Sequence, residues 1–306
     1  MFEWFIGLRY LRAKHRHGFI SLISFISVAG ITVGVIALIV VLAVYSGFTD
    51  GLRDQILGVN SHIIVQRLGG SISNYQLARD RVLTVPNVTG ATPYLYSQTL
   101  LSSANGGSGA VLRGIDPETA VGVVNLEEKM LAGSIQDLAS TKDPRVPNII
   151  LGKNLAATLR VGVEDRVRLI SPSGPLTPMG VIPRVKTCRV SGIFETGMYE
   201  YDSSLAYMAL PDVQRFLGIG DEVHGIEVAV ARKELDRADK IGANVVETLG
   251  KSLIAEDWMM MNRNLFAAFK LEKIGMFIAM ALIILVAALN IISALVMVVM
   301  EKSRDI

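Results

Sequence analysis

The sequence predicts a membrane protein in which two transmembrane α-helices flank one large mixed α+β domain. Residues 18–49 and 274–300 carry no charged side chain. Each run exceeds the roughly 20 apolar residues a helix needs to cross a hydrocarbon layer about 30 Å thick. Within lipid, backbone N–H and C=O groups must be satisfied inside the segment, which leaves a helix as the only form for such a run. Between the runs the chain is ordinarily polar, with short strand-like and helix-like patterns. Hydrophobic residues make up 51% of the whole, charged residues 19%, and mean hydropathy is +0.43, high for a soluble protein.

Residues 1–18 precede the first span. Phe2, Phe5, Ile6, Arg9, Tyr10 and Arg12 suit an amphipathic helix with aromatics at the lipid boundary and basic groups toward headgroups. It serves either as a plain topogenic anchor or as a helix that packs on a cytoplasmic partner. The first span covers residues 19–47. Its length exceeds the roughly 7–15 residues of a signal-peptide core, and bulky Tyr45 and Phe48 leave no small-x-small cleavage site, so it reads as uncleaved. Arg9, Arg12, Lys14 and Arg16 stand before it against Glu3 alone, which places the N-terminus in the cytoplasm. Residues 48–270 are then outside, 271–300 return as the second span, and 301–306 are cytoplasmic again.

In the outer domain, residues 62–66 read as a strand and 75–85 as a helix ended by Pro86. Residues 95–103 and 110–115 read as a hairpin around Asn105-Gly106-Gly107-Ser108-Gly109. Residues 149–151 are apolar and 153–160 helical. Strands 166–170 and 185–194 flank a proline-rich loop. Further strands follow at 205–210 and 226–230, with Pro211 starting a helix over 212–217 at its first turn. Residues 233–249 read as helix, and from about Met259 one unbroken helix runs into the second span. The single cysteine, Cys188, excludes an internal disulfide. A domain of this size is held by its own core, in one or two subdomains.

Several function classes are poorly supported. A net charge of +2 with no basic stripe gives no nucleic-acid partner. Gly250-Lys251-Ser252 imitates the end of a phosphate-binding loop, but the glycine required five residues earlier is Val245, and the segment ends a helix instead of following a strand. His15, His17, His62 and His224 are scattered, so no metal or Ser/His/Asp arrangement is supported. The chain reads as non-catalytic, with no metal and no cofactor of its own.

The spans carry more specific marks. Gly30 and Gly34 form a small-xxx-small pair, which either admits another helix closely or is a neutral face. Asn290 and Ser293 in the second span favour a hydrogen-bond partner on another helix. The most distinctive outer feature is the loop 171–184, with Pro172, Pro175, Pro178 and Pro183. Proline lacks a backbone donor and fixes φ, so this loop is expected to join no sheet while staying stiffer than a Gly/Ser linker. Leu176, Met179, Val181 and Ile182 on a stiff protrusion would form a docking element for another protein. The alternative is a loop folded back on its own domain.

Phe5-Ile6-Gly7-Leu8-Arg9-Tyr10-Leu11-Arg12, Gly18-Phe19-Ile20-Ser21, Gly30-Ile31-Thr32-Val33-Gly34-Val35 and Ser46-Gly47-Phe48 resemble the opening of the lipoprotein-releasing permeases, the LolC/LolE family. Thr177-Pro178-Met179-Gly180 resembles the hook by which the LolC-type subunit holds the carrier LolA. Asn290-Ile291-Ile292-Ser293-Ala294-Leu295 and residues 300–306 resemble the end of the second span and the start of the coupling segment.

The resemblance implies an ABC permease of the MacB-like superfamily, in the bacterial inner membrane, with a periplasmic domain of Porter-like and Sabre-like parts. It implies a separate LolD-like ATPase that binds ATP and Mg, a LolA-like carrier, a second permease copy or LolE-like partner, and lipoprotein as substrate within membrane lipids. The implied hook residues are Pro175, Leu176, Thr177, Pro178, Met179, Gly180, Ile182 and Pro183, with Arg168 and Lys186 as a pad beneath. Tyr45 and Phe48 fall at the implied lipoprotein contact, and Glu301, Lys302 and Arg304 at the ATPase coupling segment. Family permeases have four spans, so a third and fourth are expected beyond Ile306. The rival readings are a MacB-like exporter permease and a two-span periplasmic sensor.

Overall fold

A computed structural model describes residues 18–57, 61–140, 143, 145–172, 174, 176–178, 180–250 and 252–302. They divide into two compact units. One holds the long helix α1 (Gly18–Leu57) as far as Gly51 and, numbered last in chain order, α6 (Arg263–Lys302). Within them, Val28–Thr49 and Arg263–Ser293 are long and apolar enough to cross a membrane. The second helix is not continuous from Met259. A short turn, Trp258–Met261, is capped by the Asp257 carboxylate and ends at Asn262 (φ −107°, ψ 30°), after which α6 begins. The Asn262 side chain donates to the Trp258 carbonyl (2.8 Å), competing with helix continuation at that point.

The second unit, residues 52–262, is built on one sheet. Strand β1 (Ile63–Arg67) is followed by a two-residue strand β2 (Ile72–Ser73), helix α2 (Tyr75–Leu83) and the long β3 (Val88–Ser102). Much later come β12 (Glu222–Val223), which pairs with β2, then β13 (Gly225–Val230), α5 (Ala238–Leu249) and β14 (Leu253–Asp257). The order β14-β1-β13-β3, with every neighbouring pair antiparallel, is the split β-α-β arrangement of ferredoxin-like folds. Both helices pack on the sheet face that carries Ile63 and Val65, both wholly buried; a Cβ on Gly242 of α5 would sit 3.5 Å from Ile63 and 3.0 Å from Ala255.

Most of the chain between β3 and β13 is an insertion that closes into a ring with β3. It contains β4 (Gly107–Ile115), β5 (Met130–Ala132), β6 (Asn148–Gly152), α3 (Lys153–Leu159) and β7 (Arg166–Ser171). Next come β10 (Arg184–Phe194), β11 (Leu205–Ala209) and α4 (Leu210–Leu217). The sheet continues β3-β4-β11-β6-β10, and β7 pairs with both β10 and β3, so these strands form a closed ring. Residues directly opposite across a pair share a face. Following the registers Leu101↔Leu169, Leu112↔Ala206, Ala206↔Leu151 and Cys188↔Val167 places these side chains inside a small barrel, where all are buried. Closure leaves no free edge around the ring. Outside the barrel, the segment 117–140 covers Ile115, Ile150, Tyr207 and Ala209 with Val123, Leu126, Ile135 and Leu138.

The expected hairpin over 95–115 forms, with Tyr94↔Ile115 through Ser102↔Gly107 in register. Its first strand starts seven residues earlier than expected, at Val88, and takes in Pro93 opposite Ile226. The helix expected over 233–249 is a 3-10 segment, Arg232–Arg237, before α5 starts at Ala238.

Candidate functional site

The proline-rich loop is the clearest candidate. It leaves the barrel between β7 and β10, whose ladder ends at Arg184↔Ser171. Contrary to the expectation that prolines keep it out of any sheet, the loop forms its own two-stranded ladder. Strand β8 (Leu176–Thr177) pairs antiparallel with β9 (Gly180–Val181), with Leu176↔Val181 and Thr177↔Gly180 opposite. The prolines are compatible because none occupies a paired position: Pro178 stands in the reversal and Pro183 follows the ladder. Gly180 has φ 109°, a conformation that a side chain would strain, so the reversal depends on glycine there. A Cβ on Gly174 would collide with the Ile182 carbonyl, so the two arms approach closely at their base.

The hairpin's outer surface is apolar and open. Val181 is 52% exposed, Ile182 55%, and Pro178 and Pro183 are exposed as well. Pro175 and Met179 lie outside the described residues, and Leu176 and Thr177 are placed by their backbone alone.

The two pad residues do not share a face. Arg168 stands opposite Thr187, on the outer face of the barrel, with Ser102 across the β3 side. Lys186 stands opposite Leu169, whose side chain points into the barrel. It lines a recess of about 320 Å³ with Asp212 and Phe216 of α4. Burial raises the Asp212 carboxyl above the usual range, against the pull of Arg215 and Lys186. Arg168 instead shares its face with exposed Leu100 and Val185, next to Ile170, which is opposite both. Leu100 and Val185 make apolar ground at the hairpin's foot, which the sequence expectation did not include. Alternation in 166–171 and 184–190 was the signal that could have shown it.

In the membrane unit, Gly34 meets Ile283 of the second span: a Cβ there would lie 3.3 Å from the Ile283 side chain, whereas Gly30 has nothing within 4 Å. Both glycines border an apolar cleft of about 360 Å³ between the spans, lined also by Leu38, Leu282 and Ala287. The Tyr45 hydroxyl donates to the Phe269 carbonyl (3.2 Å), and Phe48 is exposed on the helix surface. Asn290, Glu301 and Lys302 lie in α6 with their side chains undescribed; residues 1–17 and Arg304 lie outside the described residues. The Gly250 of the loop-like tripeptide caps α5 at its C-terminus, the wrong end for a phosphate.

The family described as MacB-like periplasmic core domain matches residues 24–245. Lipoprotein-releasing system transmembrane protein LolC of Neisseria meningitidis serogroup B is 39% identical over 305 residues, covering 99% of this chain and 72% of that protein. The LolE protein of Haemophilus influenzae is 25% identical over 311 residues, covering 99% of this chain and 72% of that protein. Among solved structures, the periplasmic region of MacB from Actinobacillus actinomycetemcomitans aligns with TM-score 0.45 at 15% identity, covering 69% of this chain and 95% of that one. The chain therefore belongs to the LolC/LolE family of lipoprotein-releasing system transmembrane proteins, built on a MacB-like periplasmic core domain.

Proposed function

We propose that this chain is a permease subunit of an ATP-driven complex that extracts lipoproteins from the outer leaflet of the bacterial inner membrane and hands them to a LolA-like periplasmic carrier. The observation that carries the reading is the 39% identity to LolC along 99% of the chain. On this reading the protein is multi-pass, with its N-terminus in the cytoplasm and the MacB-like domain in the periplasm. A LolD-like ATPase binds ATP and Mg and does the hydrolysis, and a second permease copy or LolE-like protein completes the pair.

The hairpin 176–181 is the carrier-holding element in this scheme. Its short ladder and fixed proline φ angles pre-order it, which lowers the entropy lost on docking. Its mount is stiff, because β7 is paired on both sides within the closed barrel. Arg168, on the outer face, adds charge toward a carrier resting there, a contribution that salt would screen. Lys186, the other pad residue of this reading, is turned to the α4 side, away from the face of Arg168.

Reconstitution tests the whole reading. Proteoliposomes holding the chain, its permease partner and the ATPase should release lipoprotein only when ATP and carrier are both present. Export of a small amphiphile with no dependence on carrier would instead favour an exporter.

A further inference from the structure

Where the ferredoxin-like sheet passes into the barrel, a cleft of about 500 Å³ opens on the face opposite the helices. That volume falls in the range of about 300–1,000 Å³ typical of small-ligand sites, which favour such junctions. Its apolar walls are Ile64, Tyr94, Tyr96, Val111 and Leu205, and no carboxylate residue lines it.

Apart from the Gln66 amide, which can donate or accept, its polar side chains are donors. Arg113 is 7% exposed and held from behind: it pairs with Glu227, which is wholly buried, and its guanidinium lies 5.7 Å from the centre of the Tyr207 ring. Glu227 is tied in turn to the Ser61 hydroxyl (3.3 Å). Such a group is pre-positioned and loses little freedom on binding. His224 accepts the Tyr96 backbone N–H on Nδ1 (3.2 Å), which leaves a neutral ring with its proton on Nε2. Burial lowers its pKa, in keeping with that neutral form. Burial, then Glu227, raises the Tyr94 phenol well above its ordinary value, so it stays an O–H donor. Arg67 completes the rim.

Guanidinium, imidazole N–H and phenol O–H groups need acceptors from a ligand, and apolar walls need an apolar body. The charge of Arg113 is offset by Glu227, and that of Arg67 at the rim is shared with Glu222 outside the lining, so the cleft has room for one negative charge at most, which favours a monoanion over a phosphate dianion. We propose that this cleft binds a carboxylate carried on an apolar body. The carboxylate could come from a free organic acid or from the C-terminus of a polypeptide.

The test uses the full chain in nanodiscs and three probes: N-acetyl-phenylalanine, its amide, and a blocked tetrapeptide ending in phenylalanine with a free carboxylate. Saturation-transfer NMR and calorimetry should show at least one acid binding, with the amide weaker by about tenfold or more. Binding of the tetrapeptide alone assigns a polypeptide C-terminus; binding of the small acid, with or without the tetrapeptide, assigns a free acid. Val111→Trp, which fills the cleft, should abolish binding, and Arg67→Ala at the exposed rim should weaken it several-fold. Both variants should keep the wild-type unfolding midpoint, so a loss of binding cannot be put down to misfolding. Equal binding of acid and amide, binding that survives Val111→Trp, or no binding by either acid overturns the proposal.

Discussion

Ile63 and Asp257 stand directly opposite each other across the β1–β14 pair. The strand that follows the first membrane helix and the strand that precedes the second are thus hydrogen-bonded neighbours. Trp258 locks this corner: its backbone N–H donates to the His62 carbonyl (3.0 Å) and its indole N–H to the Leu235 carbonyl (3.1 Å). Trp258 is 1% exposed. Trp258→Ala should destabilise the outer domain by about 3–5 kcal/mol through cavity formation. Denaturant unfolding of the domain measures it; Trp258→Phe should recover part of the loss by refilling the space.

Stability should also fall on acidification. His62 accepts the Val230 N–H on Nδ1 (2.9 Å), and burial lowers its pKa below the ordinary value of 6.5. The unfolded chain then takes up a proton that the folded one resists. Stability from this site is therefore intact above about pH 6.5 and declines as pH drops from there toward the folded pKa. His224 adds the same sign for the same cause. The unfolding midpoint measured from pH 7.5 to 5 should drop, and His62→Gln should flatten the profile.

Breaking the buried Arg113–Glu227 pair should be costly in single variants and mild in a double one. Glu227→Leu leaves a largely buried guanidinium without its counter-charge and should cost about 3–5 kcal/mol. Arg113→Met combined with Glu227→Leu removes both charges and should recover most of that loss. A double-mutant cycle by denaturant unfolding gives the coupling, and additive effects would show that the pair is not a unit.

In the membrane unit, Gly34→Leu should part the two spans and Gly30→Leu should not, because only Gly34 faces Ile283. Spin labels at Leu38 and Ala287, which line the same cleft, read the separation by dipolar spectroscopy. Equal shifts for the two glycine variants would contradict this geometry.

The spans were legible because charge-free length is a one-dimensional signal, and so were the strands that alternate cleanly, such as 166–170 and 185–194. The first half of β3 was hidden by Gly90 and Pro93, residues that normally argue against a strand; Pro93 fits because its neighbours supply the ladder. Strand β14 was hidden because Leu253–Asp257 is short, ends on the two carboxylates Glu256 and Asp257, and directly follows Gly250-Lys251-Ser252. The break at Asn262 has only a local hydrogen bond as its cause, and no periodicity announces it. The β14-β1-β13-β3 order and the closure of the barrel through β7 are long-range pairings that no local pattern encodes. At the hairpin, the prolines marked the place of the loop, while the ladder between Leu176 and Val181 and the separation of Arg168 from Lys186 emerged only from strand register.

On the proposed function, the hairpin between β7 and β10 holds the carrier, and photocrosslinking from position 182, beside the ladder and exposed, is the sharpest test of that role. In intact cells, a benzophenone side chain at Ile182 should capture the LolA-like carrier. Capture should be weakened severalfold by Pro178→Gly and lost with Val181→Asp, while the ATPase stays bound. A probe at 182 that labels no carrier, together with wild-type lipoprotein release by Val181→Asp, would contradict the account.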